Sequence, residues 1–190
     1  FYTLPIQPVR LADGSDLIVS VKLPTGEVFV KAWMIQVGRV KLYLLDTNIP
    51  QNPAPENRNI TDQLYGGDSH TRIRQEIVLG IGGMRVLSSL GLAPTVFHMN
   101  EGHSAFLAIE RIRLHMAEKG LSFDQAVEAV RANNVFTTHT PGPAGIDLFD
   151  SGLVHYYFAE YCDRAGIPYK AFSGLGRRKQ TLGEREERVG

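Results

Sequence analysis

The 190-residue sequence has one cysteine, one tryptophan and four methionines, and its 20 basic and 20 acidic side chains cancel to a formal net charge of zero. Each scarcity excludes something. The lone thiol, Cys162, rules out a disulfide within the chain, and a chain of this length can bury roughly 70% of its unfolded surface without one. Cys162 stands at helical spacing from Phe158 and Ala159, the pattern of a small buried hydrophobe and not of a nucleophile. Zero net charge supplies no field to draw a polyanion, so nucleic acid is not an expected partner. Apolar runs such as residues 77–81 fall far short of the ~20 residues of a membrane span. No charged-then-apolar signal segment opens the sequence either, which predicts a soluble, cytoplasmic protein without membrane partners. An initiator methionine is also missing, which suggests an excerpt of a longer chain. Residues 177–190 carry eight charged side chains with only Leu182 and Val189 as sizeable apolar groups. Such a tail cannot offset its ordering entropy and is expected to be disordered.

Three β-rich runs follow a proline-punctuated, extended start: residues 17–23, 27–37 and 40–45, joined by short connections containing Gly26 and Gly38. They predict an antiparallel meander over residues 1–50. Val21 and Leu23 share one face and Lys22 takes the other, so one side of the ribbon is expected to be wet. Residues 46–61, with three prolines and four asparagines, show no periodicity and predict a long loop, functional or disordered. From Thr71 the period changes, and Ile73, Ile77, Gly80 or Ile81, Met84, Leu87 and Leu90 trace a helical stripe ending at Gly91. Gly80, Gly82 and Gly83 lie inside that helix, not between a strand and a helix start, so they predict close packing and not a nucleotide site.

An α/β pattern occupies residues 62–176. A strand over 95–99 leads to a helix from about His103 to Lys119, with Ile109 and Ile112 inward and Glu110, Arg111 and Arg113 on its other sides. Gly120 stops it. Ser122 and Gln125 form a capping box for a helix whose inner face is Phe123, Ala126, Val127 and Val130. A second strand spans 135–138, and a last helix spans 153–164. Pro141, Pro143 and Gly145 disfavour a helix directly after His139.

Both strands run into histidine-bearing turns, Asn100-Glu101-Gly102-His103 and His139-Thr140-Pro141-Gly142-Pro143. The carboxyl ends of parallel strands are where open α/β sheets bind ligands, so the two turns form a candidate half-site. A metal site from His98, Glu101 and His103 is disfavoured by the strand-to-turn geometry and by the absence of HExxH spacing. Ser104 lacks a G-x-S-x-G elbow, and His70, His115 and His155 are assigned no role. For His139 two alternatives stand on sequence alone. It is either a buried histidine satisfied by carbonyls, or one of several short donors and acceptors converging on a polyhydroxylated ligand.

The blocks LLDTNIPQN, ITDQLYGGD, RIRQEIVLGIGGMRVL, HMNEGHSAFLAIERIR and VFTTHTPGPAG, collinear over residues 4–176, closely resemble the bacterial and archaeal branch of the α-glucan (glycogen/maltodextrin) phosphorylases. The resemblance implies an α/β fold: a partial Rossmann-like N-terminal domain, residues 1–176, of a GT-B glycosyltransferase with its active site in the cleft between two domains, the meander lying at the N-terminal end. It implies pyridoxal-phosphate-dependent transfer of a glucosyl unit from an α-1,4-glucan to orthophosphate, giving glucose 1-phosphate with retention. On this resemblance His139 is the catalytic residue, hydrogen-bonded to the 6-hydroxyl of the transferred glucosyl unit. Asn100, Glu101, His103, Thr138 and Thr140 bind substrate or brace the turns. The loop at 46–61 and residues 65–68 border the cleft. Gly142 and Ile146 depart from the family's pattern, which usually has Val and His there. The family's phosphate-cradling glycine loop and cofactor lysine have no counterpart here. None of the six lysines has the matching context, so the segment alone is expected to be inactive. The competing expectations are a noncatalytic carbohydrate-binding remnant and part of another GT-B glucosyltransferase, such as a glycogen synthase. Homo-oligomerisation is left open.

Overall fold

Alternating apolar residues in the first third of the chain build a four-stranded sheet, seen in a computed structural model that describes residues 5–64, 67–140, 147–177 and 188–189. The chain divides into two compact units, residues 1–93 and 94–190. In the first, β1 (Ile6–Pro8), β2 (Ile18–Leu23), β3 (Gly26–Val37) and β4 (Val40–Asp46) are all antiparallel to their neighbours. The predicted meander is β2-β3-β4, and β1 adds to it. Twelve residues long, β3 takes β2 along residues 26–31 and β1 along residues 33–35 of one edge, and β4 along residues 31–37 of the other. Where β1 gives way to β2, the Val9 amide donates to the Ala32 carbonyl and the Ala32 amide donates to Leu17, both at 3.0 Å. The two short strands thereby act as one.

Leu17, Val21, Leu23, Val28, Val30 and Ala32 are buried on the inner face, under α2 (Ser69–Ile77), a single π-helical turn (Val78–Gly82) and α3 (Gly83–Ser89). A Cβ on Gly82 would stand 3.6 Å from Val21, and one on Gly83 3.8 Å from Leu45. The glycines therefore face the sheet, in agreement with the packing expectation. Ile73, Ile77, Ile81 and Met84 are buried as predicted, but Val86, not Leu87, continues the stripe. A π turn carries one residue more than an α turn and so rotates the inward face behind it. The outer face is wet, although near β4 it presents Val37, Val40, Leu42 and Leu44.

The segment after β4 is a loop through residue 54, as its composition predicts, but its second half is ordered as helix. It forms α1 (Pro55–Arg58) and a 3₁₀ turn (Asn59–Thr61), with Thr47 and Asn52 buried. Beyond the reach of β4, the Phe29 amide donates to Asn52 Oδ1 at 2.9 Å, and Asn52 Nδ2 donates to the Phe29 carbonyl at 2.7 Å and to that of Thr47 at 2.8 Å. One side chain imitates a missing strand. Period-based reasoning cannot see this, because the ordering comes from side-chain amides and not from apolar spacing.

The second unit is a parallel pair with a helical crossover: β5 (Phe97–Asn100), a 3₁₀ turn (Gly102–Ser104), α4 (Leu107–Lys119), α5 (Phe123–Arg131) and β6 (Asn134–Thr137). Then come β7 (Phe149–Asp150), α6 (Ser151–Ala165), α7 (Tyr169–Leu175) and β8 (Arg188–Val189). The mixed α/β class agrees with expectation, as do the Ser122–Gln125 capping box and the left-handed Gly120 that ends α4. Of the charged segment 177–190, Arg188–Val189 pairs antiparallel with Phe149–Asp150, and residues 178–187 and 190 lie outside the described residues. Phe158 anchors the core between Phe106 at 4.6 Å and Phe172 at 4.8 Å, ring centre to ring centre.

Two charged side chains assigned to the outer sides of α4 are buried. Glu110, fully buried, accepts from Arg113 Nη2 at 2.8 Å and from the Tyr161 hydroxyl at 2.7 Å. Arg111 lies 3.7 Å over the Phe97 ring and donates to the side chains of Asn133 and Asn134. Charges that are ion-paired, as Glu110 is, or hydrogen-bonded, as Arg111 is, tolerate burial that a lone one would not. No described helix is long and apolar enough to cross a membrane.

Two outcomes are expected. Asn52→Ala, which strands the Phe29 amide and carbonyl, should lower unfolding stability by about 2 kcal/mol, measured as a drop in the urea midpoint at unchanged slope. Cys162 is completely buried, and burial pushes its thiol up to about 12, so Ellman's reagent should find no reactive thiol at Cys162 until denaturant is added.

Candidate functional site

Parallel register determines what can meet at the ends of β5 and β6. Phe97, His98, Met99 and Asn100 stand opposite Asn134, Val135, Phe136 and Thr137, and the ladder runs one step further through the Glu101 amide, which donates to the Thr137 carbonyl at 2.8 Å. Side chains on one face then join diagonally. His98 Nε2 lies 2.6 Å from Thr137 Oγ1, and two residues on His139 Nε2 lies 2.9 Å from Asn100 Oδ1. His98, Asn100 and His139 are all exposed.

Glu101 is the buried member of the group, 8% exposed. Its Oε1 accepts from the His139 amide at 2.6 Å, the Thr140 amide at 3.0 Å and the Thr140 hydroxyl at 3.2 Å, and its Oε2 accepts from the Thr138 hydroxyl at 3.1 Å. The backbone bends to allow this. Glu101 has φ 60° and ψ −169°, a region that residues other than glycine rarely adopt. The His139 amide, followed by the Thr138 hydroxyl and the Thr140 amide and hydroxyl, holds the carboxyl below its usual 4.5 against the opposing effect of burial. A depressed carboxylate stabilises the turn above the ordinary carboxylate range and releases it as pH falls through the lowered value.

The predicted residues Asn100, Glu101, Thr138, His139 and Thr140 therefore form one hydrogen-bonded cluster. His103 stands two residues past Glu101 on the half-buried 3₁₀ turn, with a ring nitrogen within 4.8 Å of an Asp147 carboxylate oxygen. The predicted helix start at His103 gives way to that turn, since α4 begins at Leu107. The turn residues Pro141 to Ile146, including Gly142, and Tyr65 and Gly66 of the other candidate border lie outside the described residues. Sequence reasoning missed Asp147, the His98–Thr137 pair and Arg111. For Arg111 a signal existed: a guanidinium needs several acceptors, and Asn133 and Asn134 stand together at the entry to β6.

No family model matches the chain. Among curated proteins it is 47% identical over 174 residues to the maltodextrin phosphorylase of Thermococcus litoralis, covering 92% of this chain and 20% of that enzyme. To the glycogen phosphorylase of Mycobacterium tuberculosis it is 49% identical over 160 residues, covering 81% of this chain and 18% of the enzyme. To that of Aquifex aeolicus it is 35% identical over 181 residues, covering 95% and 26%. The chain spans about a fifth of the length of the first two relatives. Identity of this level over most of the chain makes it a homologue of a segment of the maltodextrin and glycogen phosphorylases.

Proposed function

We propose that the chain is part of an α-glucan phosphorylase, a cytoplasmic enzyme that transfers a glucosyl unit from an α-1,4-glucan to orthophosphate, and that this segment supplies part of the wall holding the transferred sugar. Residues 1–176 correspond, on this proposal, to part of the enzyme's N-terminal domain. The observation that supports it is the convergence of the Asn100–His139 pair and the Thr138 and Thr140 hydroxyls on the carboxyl ends of two parallel strands. Hexoses carry many neutral donors and acceptors, and a site of short, directional polar groups suits them.

Asn100 sets which ring nitrogen of His139 does the work. With Oδ1 as acceptor, Nε2 carries the proton and Nδ1 is left as an acceptor for a sugar hydroxyl, which we assign as the 6-hydroxyl. A contact that strengthens as charge develops on the sugar lowers the barrier, whereas one equally strong in the ground state only improves binding. Thr138 and Thr140 each donate their hydroxyl proton to Glu101, so their oxygens remain acceptors for further sugar hydroxyls. His103, on the neighbouring turn, would border the same sugar.

The residues present do not fit the pyridoxal phosphate that the complete enzyme would carry. Lys31 is held by Asp16 and lies 4.4 Å over the Trp33 ring, and Lys41, Lys119 and Lys170 are exposed side chains remote from the strand-end cluster in sequence.

The complete gene product should phosphorolyse maltoheptaose when supplied with pyridoxal phosphate and fail without it. A product that binds glucan without releasing glucose 1-phosphate would be a carbohydrate-binding remnant instead. His139→Ala in that enzyme should lower kcat by about 10²-fold or more, and an unchanged kcat would remove His139 from the mechanism. At neutral ring charge, long-range ¹H–¹⁵N couplings of His139 should show the Nε2–H form in excess of the free-histidine ratio, and Asn100→Ala should return it to that ratio.

A further inference from the structure

Glu101 differs from every other member of the cluster in being buried, and its acceptor capacity is occupied from within. A carboxylate offers about four lone-pair sites. Three donors converge on Oε1 and one on Oε2, all from residues 138–140. Little remains with which to receive a sugar hydroxyl or a proton. The same side chain is reached only through a left-handed backbone at φ 60°, where glycine would be the unstrained choice, so the position retains a carboxylate against its local conformational preference.

We propose that Glu101 is a positioning residue, given over to the amides of His139 and Thr140 and the hydroxyls of Thr138 and Thr140, that fixes where the His139 imidazole stands and neither binds the sugar nor moves a proton. The inference rests on the reading of His139 as the sugar contact. Its physical content is a two-point hold. Glu101 fixes the His139 backbone at its amide, Asn100 fixes the ring at Nε2, and between them the side chain has little freedom to swing away from a ligand. Because both holders precede Gly102 on the first turn, residue 139 is tied to that turn at two points.

Replacement by glutamine and by alanine separates positioning from proton transfer. Glutamine keeps an oxygen for the His139 and Thr140 amides, and its amide nitrogen can donate to the Thr138 hydroxyl, whereas alanine leaves both backbone amides without an acceptor. In the complete protein, with maltoheptaose and orthophosphate, Glu101→Gln should reduce kcat by no more than about 10-fold and Glu101→Ala by about 10²-fold or more, while KM changes little in either. Equal, severe losses in the two variants would mean that Glu101 acts as an acid or base, and a harmless alanine would mean that it positions nothing. Either result overturns the proposal.

The second readout needs no activity. In ¹⁵N-histidine-labelled protein, with the His139 signal assigned through His139→Gln, the His139 amide proton should lie far downfield in the parent and in Glu101→Gln, and should move upfield in Glu101→Ala together with a shift of the ring tautomers toward the free-histidine ratio. If the complete protein shows no phosphorolysis, the sugar reading fails and this signal alone decides the positioning role. An amide that stays where it was in Glu101→Ala sinks it.

Discussion

The Glu101 carboxylate accepts both main-chain and side-chain donors from the opposite strand's extension, and the rest of the site depends on that single anion being where it is. Two strands of four residues cannot by themselves hold a pair of loops. The ladder stops at the Thr137 carbonyl, beyond which no strand among the described residues pairs with the Thr138 to Thr140 backbone on that side. A negatively charged oxygen reaching two successive amides replaces the missing strand with stronger, charge-assisted hydrogen bonds. Parallel register supplies the other condition, since it places Asn100 directly opposite Thr137 and so within side-chain reach of the residue two further on. In an antiparallel pair the carboxyl ends would point apart, and Asn100 could not reach His139 across them.

Much of this arrangement is legible in the sequence. Strand, polar turn and helix can be read in the order in which they occur, and Asn100, Glu101, Thr138, His139 and Thr140 are picked out by their place after apolar strands. What the sequence does not disclose is the division of labour among them. The choice between a buried histidine and an exposed one is settled by Glu101 taking the buried place, and no spacing rule distinguishes a carboxylate that meets ligand from one that meets backbone. The unusual φ of Glu101 is equally invisible, because a propensity table would put glycine there and Gly102 stands one residue later. A reader following propensity would move the bend by one position and leave the carboxylate pointing elsewhere.

The other misreadings have the same origin. Glu110 and Arg111 belong to solvent by their charge, and they are buried because each has found partners on another element. Residues 46–61 belong to an irregular loop by their composition, yet Asn52 pairs with both backbone groups of Phe29. In each case a polar side chain performs the task usually left to the backbone, and hydrophobic periodicity carries no record of it. The helical stripe, by contrast, went astray only behind the π turn, where an extra residue changes the phase of an otherwise correct pattern.

These polar substitutes for backbone pairing bear on what the second unit can do. A ligand contact must be both exposed and still, and the two demands conflict, since exposed loops are the parts of a protein that move. On the proposed reading the cluster meets both by dividing into layers. Asn100 and His139 stand outside, each bound to the other, and Glu101 stands behind them with its oxygens turned toward the protein. Beneath the strands, Arg111 lies over Phe97 and binds the residues that lead into β6, so the amino ends of both strands are tied as well as their carboxyl ends are. Loosening either tie would let β6 slide or tilt against β5, and a displacement of about 1 Å is enough to cost an enzyme much of its rate. The strand pair is thus short but fixed at both ends by charge, and its exposed imidazole inherits that rigidity.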